Sequence, residues 1–333
     1  MSDKYSITEA GLGAVITAAA KSGRVLGPKE VAERIEIAEI DNAGQLARTR
    51  QSTVSAKGAV FPKVERLLKY RYEAKDVVLE DVEPTPRPTV LFGVRPCEAR
   101  AFHALDVVFN WDYKDKFFNA RLASTTVVTL ACTIADDACF CTSVGSRPDD
   151  TEGSDILLSP LKGGGFLAEV LTQKGKALVA LAPSAFQPLT GAPDLVPAAT
   201  VAPAFDAKAL EAKLAGKFDS PLWVTQSLRC LGCGACAFVC PTCVCFDIQD
   251  EADTRGGQRL RTWDSCAMRL FTLHASGHNP RDKQSQRWRQ RIYHKFAYYP
   301  DRFRTLGCVG CGKCSRACPV DMNLKEHLVE AAQ

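Results

Sequence analysis

The strongest constraint on this chain is a cysteine run that occurs twice near its C-terminus. Cys230-x2-Cys233-x2-Cys236-x3-Cys240-Pro241 is repeated as Cys308-x2-Cys311-x2-Cys314-x3-Cys318-Pro319. Three thiolates at two-residue gaps converge on one face of an iron–sulfur cubane while backbone N–H groups turn toward its sulfides, which is the spacing of bacterial ferredoxins. The fourth cysteine, followed by proline, leaves the loop and ligates the other cluster in two-cluster ferredoxins. This crossed rule assigns one [4Fe–4S] cluster to Cys230, Cys233, Cys236 and Cys318, and the other to Cys308, Cys311, Cys314 and Cys240. A chain built on such loops is expected to move electrons.

Two other uses of cysteine compete. Structural zinc sites usually come as separated C-x2-C pairs, which these runs do not match. Disulfides require an oxidising compartment. The start of the chain, Met1-Ser2-Asp3-Lys4, has no basic leader, and the apolar residues 10–20 are few, glycine-broken and followed by no cleavage site. No segment reaches the roughly 18 apolar residues that a membrane-spanning helix needs. The expected location is the cytoplasm, without membrane insertion, although beside a membrane partner is compatible.

With 333 residues, two domains are expected. The reading is an α/β N-terminal domain, 1–220, and a mainly helical ferredoxin-like C-terminal domain, 221–333, carrying the two clusters. In the first part, Thr89–Val94, Thr125–Leu130 and residues 177–182 are strand-length apolar runs. Their continuous rather than alternating apolarity suggests a largely parallel sheet covered on both faces. A helical pattern runs over 98–108, and the Pro/Ala-rich residues 183–203 read as a linker into a short helix at 207–214. Sixty-seven residues separate Cys240 from Cys308, a long insertion that reads as mostly helical from 265 to 303 with a break at Gly277-His278-Asn279-Pro280.

The formal charge of +4 says little about partners. Basic residues concentrate between Arg281 and Arg304, interleaved with Trp288, Tyr293, Phe296, Tyr298 and Tyr299. That texture occurs in nucleic-acid binders. Between two cluster loops it is better read as a solvated or partner-facing helix whose cations stabilise cluster thiolates. Nucleic acid is therefore set aside as a partner.

A third constellation lies in the α/β part. Cys97 follows one predicted strand, Cys132 closes another, and Cys139-Phe140-Cys141 comes shortly after. Ligands of open α/β sheets bind beyond the carboxyl ends of the strands. These four thiolates are read as a third [4Fe–4S] site, with zinc the competitor and ordinary buried cysteine the bland alternative. Of fifteen cysteines, Cys243, Cys245 and Cys266 then remain. They serve either a further metal, with a ligand such as His274 or His278, or packing that keeps water from the clusters; packing is the preferred reading.

Taken together, these motifs resemble the iron–sulfur beta subunits of soluble [NiFe] hydrogenases (sulfhydrogenases) and the A-type subunits of anaerobic sulfite reductase. The likeness rests on Phe61-Pro62, Gly93-Val94-Arg95-Pro96-Cys97, Cys139-Phe140-Cys141-Thr142-Ser143-Val144-Gly145 and Cys240-Pro241-Thr242-Cys243-Val244-Cys245-Phe246-Asp247. Trp263-Asp264-Ser265-Cys266, Gly277-His278-Asn279-Pro280-Arg281 and His294-Lys295-Phe296 complete it. The resemblance implies a polypeptide that catalyses nothing alone. It would relay electrons between a terminal catalytic module, most readily a hydrogenase, and a flavin/NAD(P)-binding subunit.

The residues agree with that division of labour. There is no P-loop, no G-x-G-x-x-G after a strand, no H-E-x-x-H and no G-x-S-x-G. His103, His274, His278, His294 and His327 are scattered; His278 and His294 fall in the motifs above and serve either cluster hydrogen bonding or helix packing. The expected mechanism is outer-sphere relay of single electrons, with Arg229, Lys313 and Arg316 beside the loops raising cluster potentials. Two other classes remain: a catalytic open iron at Cys97, Cys132, Cys139 and Cys141, and a zinc-stabilised scaffold.

Overall fold

The computed structural model describes residues 3–333. Twelve strands run in chain order among the described residues: β1 (Asp3–Ile7), β2 (Arg24–Val31), β3 (Arg34–Glu39), β4 (Val64–Glu73), β5 (Asp76–Asp81) and β6 (Thr89–Val94), then β7 (Thr125–Leu130), β8 (Ile156–Pro160), β9 (Phe166–Val170), β10 (Phe186–Pro188), β11 (Phe246–Ala252) and β12 (Gly256–Trp263). Eight of them form one sheet, in the order β10-β1-β9-β8-β7-β6-β2-β3. Its centre is parallel, through β2/β6, β6/β7 and β7/β8, and both margins are antiparallel. β6 and β7 are buried almost end to end, as strands covered on both faces must be.

The expectation of a largely parallel sheet therefore holds only for the core. Short connections decide the pairs β2/β3 and β8/β9, while β1 joins the other margin from the start of the chain. Ala32 and Glu33, both at positive φ, turn β2 straight into β3, and a tight glycine-bearing turn joins β8 to β9. Turns that short leave no room for a parallel crossover.

The helix Pro96–Phe109 follows β6 with proline in its first turn, where the missing N–H is no loss. Residues 177–182, expected as a strand, instead end the helix Gln173–Leu181. The Thr172 hydroxyl caps that helix by accepting the Gly175 amide. Its Lys, Ala and Leu residues favour helix, and a short apolar run does not by itself distinguish strand from helix.

A second, antiparallel sheet has the order β11-β12-β4-β5. It takes two strands from before residue 220 and two from after it, with Leu260 opposite Arg66 and Thr262 opposite Val64. Beneath it Glu65 and Arg261, their side chains almost wholly buried, form an ion pair; Arg261 also pairs with Asp115, and Arg121 with Glu65. The insertion between the cysteine runs is thus partly strand.

Residues 265–283 are not helical beyond a single turn at Arg269–Thr272. Side chains there compete for the backbone: Ser265 Oγ accepts from Ala267, while Asn279 bonds the Arg269 carbonyl and the Arg281 amide. The helical stretch starts at Gln284, loosens through a wide turn at His294–Tyr298 and ends after Tyr299–Phe303. No described helix is long and apolar enough to cross a membrane.

Candidate metal centres

The two cysteine runs fold alike. Each places two glycines in the left-handed region (Gly232 at φ 67° and Gly234 at 75°, Gly310 at 64° and Gly312 at 70°) before a one-turn helix that carries the third cysteine. In the second run the glycines are required twice over. A Cβ on Gly310 would lie 2.5 Å from the Phe140 carbonyl carbon, and one on Gly312 would lie 2.6 Å from the Ala138 carbonyl oxygen. The second run is thus pressed against the Cys139–Cys141 loop.

Cys230, Cys233 and Cys236 line one cavity together with Cys318 from the other run, and Cys314 shares its wall. Gln284 donates to Cys230 Sγ at 3.0 Å. Burial pushes the Cys236 thiol up while Arg291 pulls it down. Cys233 is the exposed cysteine of the chain.

Cys308, Cys311 and Cys314 form the second group. The Gly310 amide donates to Cys308 Sγ at 3.5 Å, and burial pushes that thiol up to about 11 despite Lys295 nearby. Cys240 is an electrostatic neighbour of both Cys308 and Cys311. Hydrogen bonding from Cys243, with Lys295 and Arg291 close by, holds the Cys240 thiol well below its ordinary value.

Cys97, Cys132, Cys139 and Cys141 line a single cavity, and Gly310 and Cys311 of the second run complete its wall. The sheet positions this set: Cys97 sits in the first turn after β6, Cys132 just beyond β7, and the Cys132 carbonyl is held by the Ala199 amide at 2.8 Å. The Pro/Ala-rich segment therefore straps this corner, with Ala204 N–H also bonding Ser143 Oγ. Arg316 and Gln51 donate to Cys139 Sγ at 3.1 and 3.3 Å. Burial and the neighbouring sulfurs push Cys97 well up and Cys141 to about 11.

Crowded thiols that resist ionising alone fit a polynuclear iron–sulfur core, which takes sulfur as thiolate. Among the described residues, no three His, Cys, Asp or Glu side chains close on one point as a single-ion site requires. The sulfurs stand around cavities instead.

Three buried cations surround these thiols: Arg291 and Lys295 of the basic segment, and Lys57, which no motif marked. Lys57, Arg291 and Lys295 are each about 3% exposed. Arg291 Nη1 lies 3.4 Å from Cys243 Sγ, and Lys295 Nζ lies 3.4 Å from Cys240 Sγ. The basic segment is thus not a solvated helix on this side: Arg287, Arg291 and Lys295, four residues apart, share one buried stripe. That spacing was the available signal. Of the basic residues expected beside the loops, Lys313 is buried against Glu98 at 3.1 Å and Arg316 reaches Cys139, whereas Arg229 bonds the Asp321 carbonyl. His278 faces His274 on an exposed turn. Burial and Lys295 push His294, edge-on to Tyr299, down to about 4.

These loops define an iron–sulfur protein: residues 229–322 match the 4Fe-4S dicluster domain family. The chain is 30% identical over 306 residues to sulfhydrogenase 2 subunit beta of Pyrococcus furiosus, a match covering 89% of each chain. It belongs to the sulfhydrogenase beta subunit family. No solved structure matches it.

Proposed function

We propose that this chain is the electron-relay subunit of a multi-subunit cytoplasmic oxidoreductase. It passes single electrons through [4Fe–4S] clusters between a terminal catalytic module, most readily a soluble [NiFe] hydrogenase, and a flavin/NAD(P)-binding subunit. The observation that carries this reading is that the second cysteine run touches both other sets: Cys314 walls the cavity of Cys230, Cys233, Cys236 and Cys318, and Cys311 walls that of Cys97, Cys132, Cys139 and Cys141. Three sites that share walls form a line.

The ligands proposed are Cys230, Cys233, Cys236 and Cys318 for the first cluster, Cys308, Cys311, Cys314 and Cys240 for the second, and Cys97, Cys132, Cys139 and Cys141 for the third. When bound, each core accepts and returns one electron without moving atoms far. The chain's own residues set the conditions. Arg316, Gln51 and Gln284 donate to ligand sulfurs, which stabilises the reduced and more negative state. Burial of Cys240, Cys311 and Cys314 keeps water from the middle of the line. The exposed Cys233 brings the first cluster's edge to the surface, within reach of a partner's redox centre.

The test is an anaerobic pull-down of the chain from its native cells, analysed for nickel and for sirohaem. Nickel with a copurifying large subunit supports the hydrogenase assignment. Sirohaem would move the chain to a sulfite reductase complex. Zinc in place of iron would reject the relay.

A further inference from the structure

Large apolar side chains stand in water on both sides of the first cysteine loop. Leu228 and Leu231 flank Cys230 and are 77% and 67% exposed. Leu231 lines the cavity of the first set together with Cys233, the exposed cysteine. On the other side, a Cβ on Gly234 would lie 2.8 Å from Met268 Cε, so the segment leading into the turn Arg269–Thr272 packs against this loop. That turn holds Leu270 out at 71% exposure, with Leu273 also exposed. Leu270 and Leu273 line a hollow of about 630 Å³ that reaches Gln286. Gln286 lies on the helix whose first residue, Gln284, donates to Cys230 Sγ.

The second loop shows what these positions are for. Val309 follows Cys308 as Leu231 follows Cys230, and Leu306 precedes it as Leu228 does. Val309 is only 3% exposed, buried with Cys97, Ala101 and Cys311 where the third set docks, and Leu306 packs against a core cluster. An apolar residue after the first cysteine is thus covered, in the second loop, by the part of the protein that holds the next set of thiolates. In the first loop the same position is apolar and bare, and exposed apolar patches of this kind mark interaction sites.

Charge selects the occupant. Arg229 spends its guanidinium on the Asp321 carbonyl, while Arg269 and Lys283 are exposed. Among the described residues, none of the three pairs with a carboxylate. Arg269 and Cys230 both act on the charge of Arg287, which places Arg269 at the cluster's side. Asp282 is the one carboxylate lining the hollow. An apolar centre with a basic rim fits a face of the opposite sign. A second copy of this chain would bring the same cations and be repelled.

We propose that Leu228, Leu231, Leu270 and Leu273, around Cys233, form the docking face for a redox protein whose own contact face is apolar and fringed by carboxylates. The inference rests on the relay reading and names the surface through which the first cluster meets its partner. The partner covers the cluster's edge as the third set covers that of the second. Water is then excluded between the two redox centres.

The test isolates the native complex anaerobically through a tagged copy of the full chain. Wild type, L270E/L273E, R269E and L181E are compared, the last placing a carboxylate on an exposed leucine that ends a helix elsewhere. Copurifying subunits are identified by sequence and assayed for flavin and metal, and the chain's own iron is counted. The expected L270E/L273E chain keeps its iron but retains about tenfold less of one cofactor-bearing subunit. R269E loses less of the same subunit, L181E loses none, and the wild-type association weakens between about 0.1 and 0.5 M salt. Full retention by L270E/L273E, or equal loss in L181E, overturns the proposal. So does an isolated wild-type chain that self-associates through these leucines while every subunit is retained. An iron-free wild-type chain would reject the relay, and a subunit loss confined to L270E/L273E and R269E would still support the docking face.

Discussion

The amide of Phe140 donates to the carbonyl of Gly310 at 2.9 Å. That bond joins the C-x-C loop of the α/β region to the second ferredoxin-type loop. Cys97 and Cys311 belong to one small buried cluster beside it, with Ala101 and Val309. The third set of cysteines and the second thus share an interior.

Gly310→Ala tests that junction. A left-handed alanine costs about 1–2 kcal/mol, and its Cβ would collide with the Phe140 backbone. The expected loss in urea unfolding of the anaerobic protein is at least about 2 kcal/mol. Gly163→Ala, where a Cβ meets nothing, should stay within about 0.5 kcal/mol. Equal effects would mean that the loops do not dock as described.

Lys313 and Glu98, both about 2% exposed, pair at 3.1 Å beneath Cys97 and Cys311. Lys313→Met leaves a buried carboxylate uncompensated, at about 3–5 kcal/mol. Glu98 also accepts from Ser55 and Ala56, bonds that glutamine can keep. The double variant K313M/E98Q should therefore regain about half of the loss or more, a coupling that a double-mutant cycle measures. Additive losses would refute the pair.

Acid should weaken the protein through His294. Its folded value, about 4, lies below the ordinary 6.5, so between these values the unfolded chain binds a proton that the folded chain refuses. Stability present above about pH 6.5 is lost as pH falls toward 4, by about 2 kcal/mol at pH 5. Unfolding free energies at pH 7 and 5 should show this slope in the wild type and a smaller one in H294Q. Identical slopes would exclude His294 as the cause.

The Arg261–Glu65 pair ties β12 to β4 within the second sheet, and Asp115 and Arg121, in the segment before β7, fasten that pair to the first sheet's side. Arg261→Met strands Asp115 and weakens the hold on Glu65, and about 3 kcal/mol of stability should go with it. Hydrogen exchange should speed up in β4 and β12 before it does in β6 and β7. Uniform acceleration would show that the two sheets open together.

How much of this was legible in the sequence depended on the range of the interaction. The cysteine runs are local, so their loops could be read from spacing alone. The parallel core was legible because strands buried on both faces are apolar throughout, and Cys97 and Cys132 stand where such strands end. The pairing of β4 with β12 was not: both are polar, alternating segments nearly two hundred residues apart, and either could have found another edge. Residues 177–182 misled because a short apolar run fits a buried strand or a helix end by pattern alone, although its alanines and leucines favour helix. Lys57 escaped notice for a different reason. A lone lysine in Ser55-Ala56-Lys57 carries no pattern, and its role depends on a hairpin folded against it much later in the chain.

The most direct test of the relay is an anaerobic redox titration of the whole chain followed by electron paramagnetic resonance. Sites that share walls through Cys314 and Cys311 should give several iron–sulfur reduction steps. In the fully reduced protein, their signals should be broadened by magnetic coupling between neighbouring cores. A colourless, iron-free chain, or sharp signals from a core that senses no neighbour, would contradict the account.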